Sequence, residues 1–317
     1  MIIQLARAAG SGLLLGAALL CGCARQPETV EVRPAVFDPA AFGADRAFSE
    51  LEQFLSLGLR DSGTPGAERA ANHLRARLVN AGVEARVDAF EDRTPRGTAT
   101  FRNVIGRLPG RGRGLIILGS HYDTMSGMPE GFQGANDSGS STAVLLELAR
   151  MMARGPEVGP EIWFVFFDGE EAMAGYGPYD GLHGSRRMAA ALVGEKKDSS
   201  VLAVIILDMI GDTNLTVTIP RNTTPWLVNT AFDAAREEGV RSRFSLYAYE
   251  VGDDHDPFFS AGMPAVNLID FHYGSAPGLN DYWHTAQDTL DKISAESLGI
   301  VGRVTVRIVN RIIAPAP

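Results

Sequence analysis

Apolar residues recur at three- and four-residue intervals through "RAFSELEQFLSLG" (46–58) and "GAERAANHLRARLVNAG" (66–82). That spacing predicts two amphipathic helices, the second closed by Gly82. The pattern then changes. "VEARVDAF" (83–90) and "TATFRNVIGRL" (98–108) read as strands, and a "PGRGRG" turn leads into the strand "LIILGSHYD". From there, near-continuous apolar strands alternate with helical segments. "EIWFVFFD", "VLAVIILDMIG" and "AVNLIDF" are the strands, while "STAVLLELARMMARG", "GSRRMAAALVG", "TPWLVNTAFDAAREEG" and "SAESLGIVGRVTVRIVNRII" are the helices. Strands apolar on both faces need cover on both faces, which predicts one α/β domain with helices flanking a mainly parallel sheet.

The apolar runs end in chemistry. "WFVFFDGEEA" (163–172) is an apolar run that stops at Asp168, Glu170 and Glu171. Carboxylates crowded at the mouth of a buried strand repel one another and lose hydration, so a metal, a proton or open water must offset them. The feature repeats: "LIILGS" ends in His121 and Asp123, "VLAVIIL" in Asp208, and "AVNLI" in Asp270. Ligands of open parallel sheets bind just beyond the carboxyl ends of the strands, so these groups are expected on one rim. There is no G-x-S-x-G elbow, no H-E-x-x-H helix and no P-loop, and "GRGRG" lacks the helix that phosphate binding requires. What remains is a cation held by carboxylate and imidazole, with zinc the leading candidate.

The six histidines sort by context. His73 lies on an amphipathic helix and reads as a surface residue. His183 and His272 sit in loops without acids close in sequence and read as structural. His121, His255 in "GDDHDPF" and His284 in "YWHTAQDT" lie among acids and are the candidates for the site.

Composition narrows the class. The chain has 317 residues, 45% of them hydrophobic and 21% charged, enough for one large α/β domain. A formal net charge of −9 and a pI near 5.2 argue against nucleic acid or an anionic membrane as partner. "MIIQLARAAGSGLLLGAALLCGC" has the layout of an export signal, with an apolar stretch short for a membrane span. Leu20-Cys21-Gly22-Cys23 resembles a bacterial lipobox, which makes 1–22 a lipoprotein signal peptide and Cys23 the lipidated first residue; an ordinary cleaved signal is the alternative. Residues 23–43 read as a tether and 44–317 as the catalytic domain. The expected location is the periplasmic face of a bacterial membrane, with a secreted or soluble periplasmic protein as alternative. Both cysteines lie in the leader, which removes cysteine nucleophiles and cysteine-ligated zinc from the domain.

In order along the chain, "NVIGRLPG", "HYDT", "GANDSGSSTAVLLELAR", "FDGEEA", "LDMIG", "DDHDPF" and "WHTAQDT" resemble the zinc aminopeptidase superfamily, peptidase family M28. The resemblance runs from "GTPGAERAANHL" to the C-terminal helix. It implies a single-domain three-layer α/β/α fold with a mixed, mainly parallel central sheet, as in the zinc exopeptidases. Two branches of the family differ in chemistry. Aminopeptidases hold two zincs and hydrolyse N-terminal residues, whereas glutaminyl-peptide cyclotransferases hold one and convert N-terminal glutamine to pyroglutamate with release of ammonia. The Asp before "GEEA", the spacer to "DGLHGSR", the double Asp of "DDHDPF" and the Trp before His284 look like the cyclotransferases. Asn267 departs from them, since they commonly carry a His on that strand.

Carried over to this sequence, the resemblance implies Asp137, Glu171 and His284 as ligands of one zinc, and Glu170 as general base and acid. Asp208 and Asp253 would stabilise charge or relay protons, and Trp283 would shape the pocket for peptide or protein N-termini. As an aminopeptidase, the same Glu170 would activate a water, Asp137 would bridge two zincs, and His121 with Asp208 would complete the second site. A lipid-anchored binding protein on an inactive peptidase fold is a third reading, which the intact set Asp137, Glu170, Glu171 and His284 disfavours.

Overall fold

The computed structural model describes residues 36–314, so the leader and the lipidation position Cys23 lie outside the described residues. The helices are α1 (Ala44–Leu55), α2 (Pro65–Asn80), α3 (Ser141–Ala153), α4 (His183–Gly194), α5 (Pro225–Glu237), α6 (Asp256–Ser260) and α7 (Ala295–Ile313). The strands are β1 (Glu84–Thr94), β2 (Gly97–Leu108), β3 (Leu115–His121), β4 (Glu161–Phe167), β5 (Val201–Asp208), β6 (Val217–Ile219), β7 (Phe244–Leu246) and β8 (Ala265–Ile269). Local chemistry explains the boundaries. Thr64 accepts from the N–H groups of Gly66 and Ala67 at 3.2 and 3.4 Å, with Pro65 in the first turn of α2, and Ser294 caps α7 through Ser297 N at 3.1 Å.

One sheet runs in the order β1-β2-β4-β3-β5-β8-β6-β7. Its centre, β4-β3-β5-β8, is parallel, and the antiparallel pairs are β1–β2, β2–β4 and β6–β8. Alternation along the strands divides the core. Ile116, Leu118, Phe164, Phe166, Ile205 and Leu207 face α1, α2, α3, α5 and α7, while Ile117, Val165, Phe167, Val204 and Ile206 face α4 and α6. The fold is therefore the expected three-layer α/β/α arrangement around a mixed sheet.

Topology places the site. The chain leaves β3 through α3 to β4 on one side, then returns through α4 to β5 on the other, so β3 is a topological switch point. The register sets His121 beside Phe167 and Asp208 beside Ile269. The ends of β4, β3, β5 and β8 consequently open on the same rim.

The structure corrects three expectations. Residues 37–42 are not tether: Phe37 is 1% exposed, Phe42 is buried, and the Asn310 amide pairs with the Phe37 backbone at 2.8 and 2.7 Å. Two aromatic rings contribute enough buried area to fix a segment that composition reads as polar linker. His183 opens α4 instead of lying in a loop; it stacks on Phe101 at 4.2 Å and meets Asp92 at 2.8 Å. His73 is half-buried and tilted against Phe54, not fully on the surface. The short elements β6, β7 and α6 went unread because three to five residues are too few to show a period.

Candidate active site

Asp137 lies in an irregular wound turn, Ala135–Ser140, between β3 and α3. The turn is fixed from behind by Asp288, which accepts from Asn136 N at 2.7 Å, Asp137 N at 3.2 Å and the Tyr273 hydroxyl at 2.9 Å. Burial, and then the charge of Asp137, push the Asp288 carboxyl up to about 7. On the next strand, Gly169 adopts a left-handed φ of +76, and a Cβ there would run into Phe101. Glycine thus permits the sharp turn after β4 that sends Asp168 one way and the two glutamates the other. Asp123 holds that turn, accepting Glu170 N and Glu171 N at 3.2 Å each.

These supports bring distant residues together. His284 Nε2 lies 3.2 Å from Asp137 Oδ2 and 3.2 Å from Glu171. His121 Nε2 lies 3.1 Å from the other Asp137 oxygen and 3.2 Å from Asp208 Oδ1. The donor atoms of Asp137, Glu171 and His284 all fall within 4.8 Å of one another, as do those of His121, Asp137 and Asp208. Each trio combines hard oxygen donors with one imidazole, a donor set suited to a borderline divalent cation. Asp137 belongs to both, and its two oxygens point to different histidines. The residues present therefore fit one metal ion in the outer trio and can accept a second in the inner one.

Electrostatics follow from burial. Burial opposes a charge on His284, but Asp137 and Glu171 outweigh it and push the imidazole up to about 10. The same opposition raises His121 well above its ordinary value, with Asp123, Asp137 and Asp208 as the partners. Burial raises Glu171 to about 7, helped by the Asp137 charge, and it drives Glu170 well above the carboxylate range. The surrounding acids favour the charged form of both histidines against burial, so cationic charge at this site offsets the repulsion among the crowded carboxylates.

A cavity of about 250 Å³ opens beside the outer trio, lined by Glu170, Tyr176, Asp208, Asp253, Phe271 and Trp283 among others. Trp283 stacks on His284 at 4.2 Å, and His284 itself sits at a left-handed φ of 54, as does Met209 at 47. Non-glycine residues in that region cluster where a side chain must be aimed against backbone preference. Asp253 is buried at the cavity wall and accepts from the Asn267 amide and from Asp254 N. Burial, with Asp208 and Asp254 nearby, pushes its carboxyl well up.

Every site residue named from the sequence reaches this rim, but several of the acids and histidines do other work. Asp168 accepts from Arg102 N at 2.7 Å and Ser62 Oγ at 2.6 Å, and Asp270 accepts from Thr216 N and His272 N. Both acids brace loops. His255 belongs to neither trio: its ring nitrogens have no hydrogen-bond partner among the described residues, and burial lowers its pKa to about 3. The sequence reading missed Asp288 and Tyr176. The Tyr176 hydroxyl donates to Glu170, and its loop is closed by Asp180 accepting from Met173, Ala174 and Gly175 N at 2.6–2.9 Å. Asp180, seven residues after Met173 and followed directly by Gly181, was the available signal for that closed loop.

Comparison with known proteins gives one consistent answer. The family model described as Peptidase family M28 matches residues 103–309. A glutaminyl-peptide cyclotransferase from Bos taurus is 30% identical over 290 residues, covering 78% of this chain and 77% of its own. The crystal structure of an Acidobacteriales bacterium glutaminyl cyclase superposes with a TM-score of 0.82 at 35% identity, covering 89% of this chain and 99% of that one. The Porphyromonas gingivalis glutaminyl cyclase does so with a TM-score of 0.76 at 26% identity, covering 86% and 99%.

Proposed function

Because this chain belongs to peptidase family M28, we propose that it is a zinc-dependent glutaminyl-peptide cyclotransferase, converting N-terminal glutamine to pyroglutamate with release of ammonia. The observation that carries this reading is the pairing of Glu170 and Glu171. Both border the cavity of about 250 Å³, but Glu171 faces His284 in a trio suited to zinc, whereas Glu170 accepts from the Tyr176 hydroxyl.

Asp137, Glu171 and His284 would hold the zinc, which would supply Lewis-acid polarisation of the glutamine side-chain carbonyl. The cavity, walled by Trp283 and Phe271, holds the glutamine so that its own α-amine lies against its Cδ. Glu170 accepts a proton from that amine as the N–Cδ bond forms. It returns the proton to the side-chain nitrogen as the C–N bond breaks and ammonia departs. Tyr176, donating to Glu170 at 2.9 Å, holds the carboxylate during the transfer. Asp208 and Asp253, buried at the same wall, stabilise the developing charge or relay the proton between the two nitrogens.

One zinc suffices for this chemistry. The inner trio, with His121 bonded to Asp137 and Asp208, supports a di-zinc aminopeptidase as the second reading. The discriminating experiment pairs ammonia release from a glutaminyl peptide with cleavage of leucyl-anilide by the zinc-loaded protein. Fast anilide cleavage without ammonia release replaces the first reading by the second. We further propose export as a periplasmic lipoprotein through Cys23, tested by fatty-acid labelling: Cys23→Ala loses the label, and an unlabelled wild-type chain refutes the anchor.

A further inference from the structure

Arg60, in the loop between α1 and α2, is completely buried, yet none of its side-chain hydrogen bonds among the described residues reaches a carboxylate. Its guanidinium rests over the Phe54 ring of α1 at 4.7 Å and spreads its N–H groups over four backbone carbonyls. Nε donates to Tyr122 O at 2.9 Å, Nη1 to Gly58 O and Gln133 O at 3.3 Å each, and Nη2 to Gly134 O at 2.9 Å. Two of these carbonyls border the metal site. Tyr122 directly follows His121 at the end of β3, and Gly134 O also accepts from Gly139 N at 3.1 Å, closing the turn that carries Asp137. We propose that Arg60 is the positioning residue that sets Asp137 for zinc, acting through Tyr122 O and Gly134 O. The inference rests on the reading of Asp137, Glu171 and His284 as zinc ligands.

Three observations support it. One rigid fork ties the exit of β3 to the turn whose Asp137 oxygens point to His121 and His284. Asp288 holds Asn136 N and Asp137 N, so the backbone is fixed on both sides of Ala135. The contact also requires a glycine: Gly134 has a left-handed φ of +58, and a Cβ there would lie 2.8 Å from Arg60 Nη2. Finally, a buried cation with no carboxylate bonded to it is costly. Burial lowers the guanidinium to about 10, against the charges of Asp288, Asp123, Asp137 and Asp61, so it stays protonated at neutral pH. That permanent charge offsets part of the repulsion among acids that have to remain ionised to bind a metal. Lysine cannot replace it, because a single ammonium does not span four carbonyls.

The test uses the full chain and reads zinc affinity by competition with a chromogenic chelator. Cobalt(II), loaded in place of zinc, reports ligand geometry through its visible absorption. Arg60→Lys keeps the charge and loses the fork. It should weaken zinc binding about 10- to 100-fold, as expected when the support behind a metal ligand is removed, and it should change the cobalt band. The rise in Tm on adding zinc at a fixed concentration should shrink accordingly. A lower Tm with wild-type zinc affinity and an unchanged cobalt band shows a purely structural role and overturns the proposal. If Arg60→Lys does not fold, Phe54→Leu decides, since it leaves Arg60 in place and removes the ring beneath the guanidinium. Zinc affinity about 3-fold weaker supports the proposal, and wild-type affinity overturns it. A wild-type chain that binds no zinc overturns the ligand reading, and the role of Arg60 with it.

Discussion

Tyr176 donates its hydroxyl to Glu170, lying 2.9 Å from one carboxylate oxygen and 3.1 Å from the other. A phenol placed astride both oxygens restrains rotation of the carboxyl group, and Glu170 must aim at a substrate nitrogen. Tyr176→Phe keeps the ring and deletes the donor. We expect kcat for glutamine cyclisation to fall about 10-fold, the effect of one hydrogen bond to a charged group, with KM changed less. Unaltered kcat in steady-state assays removes Tyr176 from the mechanism.

Glu170 and Glu171 are neighbours with separable tasks, and two substitutions distinguish them. Glu170→Gln should keep zinc at the wild-type ratio and lose turnover by about 10²- to 10⁴-fold, as expected for a missing proton shuttle. His284→Ala opens the trio and should lower both zinc content and activity. Elemental analysis of dialysed protein beside the ammonia assay reads both. Full zinc occupancy in His284→Ala contradicts its place as a ligand.

Removing the metal should make stability depend on pH in a stated direction. In the metal-free chain, burial and Asp137 raise Glu171 to about 7, and its acid partners raise His284 to about 10 against the effect of burial. Both folded-state values lie above the unfolded ones, so the folded chain binds more protons. The associated stability is fully present below the unfolded pKa of each group and is lost as pH rises through the folded value. The Tm of chelated protein should therefore fall between about pH 5 and pH 10. Zinc binding near neutral pH should release protons, detected as heats that vary with buffer ionisation enthalpy. A chelated protein whose Tm rises over that interval contradicts the paired-acid account.

Asp123 uses one oxygen on Glu170 N and the other on Glu171 N, both at 3.2 Å. In Asp123→Asn one of those oxygens becomes an N–H₂ group facing another N–H. A buried donor left without an acceptor costs about 1–3 kcal/mol, so urea denaturation should shift by that amount. Because the loop carries Glu171, zinc should also dissociate faster from this variant. Wild-type stability and metal retention together would show that the turn is held by other contacts.

Much of this was legible in the sequence because it is local. Periods of two and of three to four residues depend only on which side of an element meets the core, so β3, β4, β5 and β8 and the long helices appear where the pattern puts them. The clustering of His121, Asp208, Glu170 and Glu171 at strand ends was legible for the same reason: parallel strands bring their carboxyl ends to one rim. Asp137 and Trp283 were reached through a family resemblance, since neither lies at the end of an apolar run.

The division of labour among the acids was not legible. Asp123, Asp168 and Asp270 look like ligands in one dimension, yet each accepts backbone or hydroxyl donors and braces a loop, as does Asp288, which ends no apolar run. Asp288 meets Asn136 across 152 positions of sequence, and no periodicity encodes such a pairing. The sequence by itself determined the elements, their layering and the rim on which the chemistry gathers. The tertiary structure decided which carboxylates face a metal, which face the substrate and which serve the backbone, because that choice depends on where each buried oxygen finds its nearest donor.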